Sequence, residues 1–330
     1  MLPESSLAAF IQSLPKTETH LHIEGALPFE LLQRARPGFS RPPDSWAPDF
    51  KFRDFAHFEQ ELIGMAISWY TSPERYHEAA KIVFARHVAQ NVKYVETSFA
   101  SGVIELLGLD GYEILAAIRA AVPVGLEVRV FLGIHHTGAG PKMRPVLEDA
   151  LGWPELAGID LHGPEDQPLE SWTAEYWAAA HRAGKYTKAH AGEFMGADFV
   201  RRVLNELQPH RLEHGVRAAE NVALVDELAH SRVALDICPI SNHKLMPGIT
   251  LANHPIRQLF DAGVKVTVST DDPISFGNAL TDEYEALAYH CGFTRKELVQ
   301  LARNGFEVAL MPAAQKNPWL DQLDAVIAAP

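Results

Sequence analysis

The sequence predicts an α/β protein: a (β/α)8, or TIM, barrel with its active site at the C-terminal ends of the strands. Three observations lead there. Eight short strand-like segments recur along the 330 residues, all but the first followed fairly directly by a helical pattern. Such alternation implies parallel strands joined by crossover helices, and eight units over this length suit a closed barrel better than an open doubly wound sheet. Histidine and aspartate also gather where the segments stop, the end at which such barrels keep their chemistry. Finally, the Gly-x-Gly-x-x-Gly fingerprint of dinucleotide folds is missing after the first strand. One barrel domain over residues 1–330 accounts for the length.

A leading helix is expected at about 4–13, then an opening strand from Thr17 to His22. Residues 36–50 are rich in proline and read as an irregular excursion rather than a linker. Helices follow at about 54–70 and 73–91, the second opened by Ser72-Pro73-Glu74. In the first, Phe55, Phe58, Leu62, Met65 and Trp69 recur at helical spacing, which points to core packing before a substrate-facing lid. The remaining strands are Val92–Phe99, Glu127–Ile134, Ala157–Leu161, Lys185–His190, Arg211–His214, Val233–Cys238 and Val264–Ser269. Helices between them are expected near 110–121, 142–151, 170–183, 197–207, 219–230 and 254–262, with more from about 279 onward.

Composition narrows the function. A net charge of −13 disfavours nucleic acid, whose binding needs Lys and Arg to neutralise phosphates. No apolar run is long enough to span a membrane, and the start of the chain lacks the basic and apolar regions of a secretory signal. Two cysteines, Cys238 and Cys291, form no disulfide framework, so a reducing, cytoplasmic setting is expected. Cys238 sits in an apolar strand and reads as a core thiol.

The chemistry is carried by strand ends. His20 and His22 are two apart, so on a strand they face the same way. The fifth strand ends at His190 with Glu193 beyond it, the sixth at His214, the eighth at Ser269-Thr270-Asp271-Asp272-Pro273. Three neutral imidazoles and a carboxylate suit Zn²⁺ with a position open for water. The expected ligands of this one ion per chain are His20, His22, His190 and Asp271. Zn²⁺ makes water a nucleophile at neutral pH. Asp271 can accept a hydrogen bond from that water, and His214 can orient or deprotonate it. Glu193 can donate a proton if enclosure raises its pKa, while Asp272 faces substrate, as His22 does in part. His135, His136 and His162 are candidates for the pocket rim. His57, His77, His87, His181, His210, His230, His254 and His290 read as surface or packing residues.

Six segments then bear comparison together: Lys16-Thr17-Glu18-Thr19-His20-Leu21-His22-Ile23-Glu24-Gly25, Asp160-Leu161-His162-Gly163-Pro164-Glu165, His190-Ala191-Gly192-Glu193, Arg211-Leu212-Glu213-His214-Gly215, Cys238-Pro239-Ile240-Ser241-Asn242 and Ser269-Thr270-Asp271-Asp272-Pro273. In this order they resemble the motifs of the adenosine and adenine deaminase family, from about residue 10 to 305. The resemblance implies a mononuclear zinc enzyme that adds water at C6 of a 6-aminopurine and releases ammonia. It makes Glu193 the proton donor to N1, His214 the helper of the attacking oxygen and Asp272 the partner of N7. It places Gly163 at the N3 edge and Glu24 where nucleoside deaminases hold the ribose 5′-hydroxyl.

The departures bear on substrate. His-Leu-His-Ile-Glu-Gly looks like the adenine-specific branch, yet Gly163 is that of the nucleoside branch. Together they suggest adenosine or a 5′-modified adenosine such as aminodeoxyfutalosine, with free adenine as the alternative. His162 and Glu213 are further departures. A dinuclear amidohydrolase cleaving amides, lactones or phosphoesters would need a lysine at the end of the fourth strand, where Asp160-Leu161-His162-Gly163 has none. A nucleic-acid-editing deaminase would need Pro-Cys-x-x-Cys, which two distant cysteines cannot supply. A non-catalytic binding protein would not keep a complete ligand set. The expected partners are a small purine and water.

Overall fold

The computed structural model describes residues 4–138 and 140–328; the extreme ends of the span assigned to one domain lie outside them. Eight strands pair in sequence order and in parallel. They are β1 (Lys16–Glu18), β2 (Val92–Ala100), β3 (Glu127–His135), β4 (Leu156–His162), β5 (Tyr186–Ala191), β6 (Arg211–His214), β7 (Ala234–Ile237) and β8 (Val266–Val268). The expected (β/α)8 barrel is what forms. Alternation along each strand decides what faces where. Val128, Val130, Leu132 and Ile134 of β3 join the core beneath the outer helices, as do Leu212 of β6 and Leu235 of β7.

The opening strand is shorter than the span Thr17–His22. Beyond Glu18 the chain shares its hydrogen bonds between both neighbours instead of following one. The Thr19 amide donates to Ser269 Oγ at 3.0 Å and the His22 amide to the Asp271 carbonyl at 3.1 Å, while the Ile23 amide reaches Ser98 O at 2.9 Å. Isolated bridges Leu21–Asp271 and His22–Ser98 close the barrel there. His20 and His22 therefore sit on an extended seam just past β1. The helix expected over 54–70 is Phe55–Ala66, started by Asp54, whose carboxylate accepts from the His57 amide at 2.8 Å. Short helices at Phe29–Ala35, Ser101–Leu107 and Pro239–Leu245 were not expected; seven residues give too few turns for a periodic signal. No helix among the described residues is long and apolar enough to cross a membrane.

The barrel interior carries charge rather than aliphatic layers. Arg211 pairs with Glu96 and lies 3.4 Å from Asp236. Lys188 pairs with Glu213, lies 3.5 Å from Glu96 and donates to the Thr19 carbonyl at 2.9 Å. Thr267 Oγ1 donates to Asp236 at 2.7 Å. All are buried. Burial alone would pull the Lys188 ammonium down, but Glu213 and Glu96 outweigh it and hold it above its ordinary range. Removing one member of such a network strands its partners, at about 3–5 kcal/mol. Arg211→Met is expected to lose that much in urea unfolding, and a loss below about 1 kcal/mol would show that Glu96 and Asp236 do not depend on it.

Candidate active site

At the C-terminal rim three donor atoms stand at the corners of a nearly regular triangle. His20 Nε2 and His22 Nε2 are 3.2 Å apart, and each lies 3.2 Å from Asp271 Oδ1. A tetrahedral zinc site with bonds of about 2.0–2.1 Å has edges of about 3.3 Å, so these atoms fit one face of it. His190 lies beside the triangle: it shares one group of donor atoms within 4.8 Å with His20, His22 and Glu213, and a second with His20, His214 and Asp271. Each ring is oriented through its other nitrogen, as metal ligands require. His20 Nδ1 meets the Asp236 carbonyl at 3.3 Å, His22 Nδ1 meets Ser98 Oγ at 2.9 Å, and His190 Nδ1 meets the Leu161 carbonyl at 2.9 Å. The residues present fit a divalent metal.

The carboxyl groups divide by environment. Burial would raise Asp271, but His20, His22 and His214 outweigh it and hold the carboxylate well below its usual range. Ser241 Oγ also donates to its Oδ2 at 2.7 Å. Asp272 and Glu193 go the other way, pushed well above the ordinary value by burial and then by the Asp271 charge. Asp272 Oδ1 and Glu193 Oε1 are buried without a protein partner, so both are free for a ligand. The Glu193 loop is clamped by Glu165, whose oxygens accept the amides of Glu193, Phe194 and Met195 at 2.9, 3.0 and 2.6 Å. His214, with φ of +61°, points Nε2 to within 3.5 Å of Glu193 Oε2, and burial keeps its imidazole well below its ordinary basicity.

One cavity of about 500 Å³ gathers the expected residues: His22, Glu24, Gly163, His190, Glu193, His214, Asp271 and Asp272 line it, with His20 buried next to the triangle. His135 and His162 also line it, as rim candidates, and His162 stacks on His22 with ring centres 5.2 Å apart. His136 does not; it is buried and faces the Gln167 carbonyl. The reading of the first long helix as core packing needs correction. Met65, Trp69, Phe58 and Ala66 are buried as expected, but Phe55, Phe58, Leu62, Ile63 and Ala66 also form a wall of the cavity. An amphipathic stripe looks the same whether it packs on a core or a pocket.

The sequence matches the family described as adenosine deaminase over residues 15–326. The chain belongs to the adenosine deaminase family. It is 32% identical to an adenine deaminase of Cupriavidus taiwanensis, over 100% of this chain and 97% of that one. It is 31% identical to an aminodeoxyfutalosine deaminase of Streptomyces coelicolor, over 98% of this chain and 87% of the other. The crystal structure of an adenine deaminase from Arthrobacter aurescens superposes with a TM-score of 0.85 at 25% identity, covering 96% of this chain and 100% of that one. As a member of this deaminase family the chain is a hydrolytic purine deaminase.

Some site residues carried no expected role. Gly25 is needed because a Cβ there would lie 1.7 Å from Asp272 Oδ1; its place three residues after His22 was the available signal. Gly163, which did carry one at the purine edge, has φ of +100° and abuts His135, whose Nε2 a Cβ would meet at 2.5 Å. Tyr76, far along the chain, donates to Glu24 Oε1 at 2.7 Å, and the Ala100 amide donates to the same oxygen at 3.0 Å. Glu213, noted only as a departure, brings Oε2 to 3.3 Å from His20 Nε2 and 3.2 Å from His190 Nδ1. The triangle predicts that zinc added to metal-free protein raises its melting temperature by several degrees. His190→Ala should lose both that shift and the bound ion; a variant that keeps zinc would remove His190 from the ligand set.

Proposed function

We propose that this chain deaminates a 6-aminopurine nucleoside, adenosine or a 5′-modified adenosine, using one zinc ion held by His20, His22, His190 and Asp271. The observation that carries the reading is the gathering, in one cavity, of the His20–His22–Asp271 triangle with two buried carboxyls, Glu193 and Asp272, each with an oxygen that has no protein partner. Bound at the triangle, the metal would supply Lewis acidity and activate water as the nucleophile. The purine nitrogens N1 and N7 are both acceptors, and a protonated carboxyl is a donor. Glu193 therefore gives its proton to N1, which makes C6 electrophilic, while Asp272 donates to N7 and fixes the ring plane. Asp271 stays ionised next to them. Water adds at C6, the amino group leaves as ammonia and the product is the 6-oxopurine. Gly163 lets the base lie close to the backbone at its far edge. A cytoplasmic setting fits the two buried free thiols.

The nucleoside is favoured over the free base by the extent of the cavity, which continues from Glu24 along Phe55, Leu62, Ile63, Val103 and Leu106. About 500 Å³ is room for a ligand of drug size, beyond a bicyclic base. Its described lining has Glu24, Glu59 and Glu105 but neither Lys nor Arg, so it suits an uncharged 5′ group over a phosphate. Free adenine remains the second reading, favoured by the adenine deaminases among the relatives.

Three measurements test this. Ultraviolet assays with adenosine, adenine and aminodeoxyfutalosine should show a nucleoside consumed at least tenfold faster, by kcat/KM, than adenine; the reverse order would transfer the assignment to adenine. Metal analysis should give one zinc per chain, and two would point to a dinuclear amidohydrolase. Glu193→Gln should keep its zinc yet lose about 10²–10⁴-fold in kcat; near-normal turnover would end its role as proton donor.

A further inference from the structure

His214 can help the attacking oxygen in two opposite ways, as a base that takes a proton or as a donor that only orients. Which it does depends on which ring nitrogen carries hydrogen. A chain of buried contacts behind the ring decides this. The backbone amide of Ile256 lies 3.1 Å from His254 Nδ1. An amide N–H can only donate, so His254 Nδ1 accepts, and the hydrogen of this ring is on Nε2. His254 Nε2 lies 3.2 Å from Asn242 Oδ1, which accepts it. The other end of the same amide, Asn242 Nδ2, lies 3.1 Å from His214 Nδ1 and donates to it. His214 Nδ1 is thereby an acceptor, and the hydrogen of the neutral ring is on Nε2, facing the cavity. Turning the Asn242 amide over would set Nδ2 against the His254 hydrogen, so the order of donors is fixed from the backbone outward.

The three side chains are shut off from solvent. Asn242 is fully buried, and His214 and His254 are 1% and 4% exposed. The chain spans three parts of the barrel rim: His214 ends β6, Asn242 lies in the helix Pro239–Leu245 after β7, and His254 precedes the helix Ile256–Asp261. It also gives a purpose to a histidine that sequence alone places among the packing residues.

We infer that Asn242 and His254 are positioning residues that hold His214 as the Nε2–H tautomer. His214 then has no lone pair on the cavity side. It donates a hydrogen bond to the attacking oxygen and steadies it, and the proton that water loses goes to a carboxylate. Two carboxyl groups face His214 Nε2, Glu193 through Oε2 at 3.5 Å and Asp271 through Oδ2 at 3.9 Å. This rests on the proposed deamination for its chemistry, but the tautomer stands apart from which purine is turned over.

Asn242→Asp is the decisive substitution. It is isosteric, and as an acceptor at both oxygens it takes the His254 hydrogen and draws the His214 hydrogen onto Nδ1. A tautomer reversed in this way costs about 10⁴-fold in kcat in the catalytic triad of serine proteases. Here a loss of about 10²–10⁴-fold is expected on the same grounds, with KM within about threefold and zinc content unchanged. His254→Gln, which keeps an N–H towards Asn242, should retain most activity, whereas His254→Leu should not. The second measurement needs no variant to be stable: in the ¹⁵N-histidine spectrum of the zinc-loaded wild-type protein, the His214 ring should show hydrogen on Nε2. Hydrogen on Nδ1 in that spectrum, or wild-type kcat in Asn242→Asp, would overturn the inference. The spectrum reads the tautomer even if the substrate panel fails, so the two failures are distinguishable.

Discussion

Asp271 joins backbone and side chain in one residue in a way that the rest of the site depends on. Its amide donates to the His20 carbonyl and its carbonyl accepts from the His22 amide, both at 3.1 Å, so it zips the last strand to the first. Its carboxylate reaches both imidazoles of that same seam. To do this it adopts φ of +66°, a left-handed conformation costing about 1–2 kcal/mol that Asp tolerates better than most residues. The cost is met from beneath, where Glu18 accepts from the Thr270 amide at 3.0 Å and from its hydroxyl at 2.9 Å. Barrel closure and the metal-binding triangle are therefore one structure, and neither can shift without the other.

This explains which parts were legible in the sequence. Alternation of strand-like and helical segments revealed the barrel, because the pattern is local and returns in unit after unit along the chain. His20 and His22 were legible as a pair although the ladder stops at Glu18, since an extended backbone keeps the period of two whether or not it is counted as a strand. Glu193, Asp271 and Asp272 were legible because strand ends are where the fold exposes polar groups. What stayed hidden is long-range. The contact of Tyr76 with Glu24, the clamp of Glu165 on the 193–195 amides and the approach of His254 to Asn242 join segments that nothing in their spacing connects. The wall formed by Phe55 and Leu62 stayed hidden for another reason, that a pocket and a core select the same residues.

Asp271, Asp272 and Glu193 also show how one site holds both an ionised carboxylate and two protonated ones. All three are buried, and burial alone raises each. The imidazoles around Asp271 reverse the effect there. The resulting negative charge then adds to the burial of Asp272 and Glu193 and pushes both further up. A basic site and two acid donors arise from a single asymmetry in the placing of histidines.

The same accounting extends to the floor of the barrel. There Lys188 and Arg211 face three carboxylates, Glu96, Asp236 and Glu213, and Asp271 stands above as another. With the buried Asp160 next to His190 as well, carboxylates outnumber the cations in a dry interior, where an unpaired charge is costly. The imidazoles register this excess. Burial pulls His20 and His190 down, but Glu213 and Asp271 at the first, and Asp160 and Glu213 at the second, hold them up, His190 to about 9. The space between these rings favours positive charge, whether carried by protons or by an ion. A divalent cation offsets this excess and leaves the imidazoles neutral, as ligands must be. Glu213, which spacing alone left without a role, is on this argument part of why the site selects a dication.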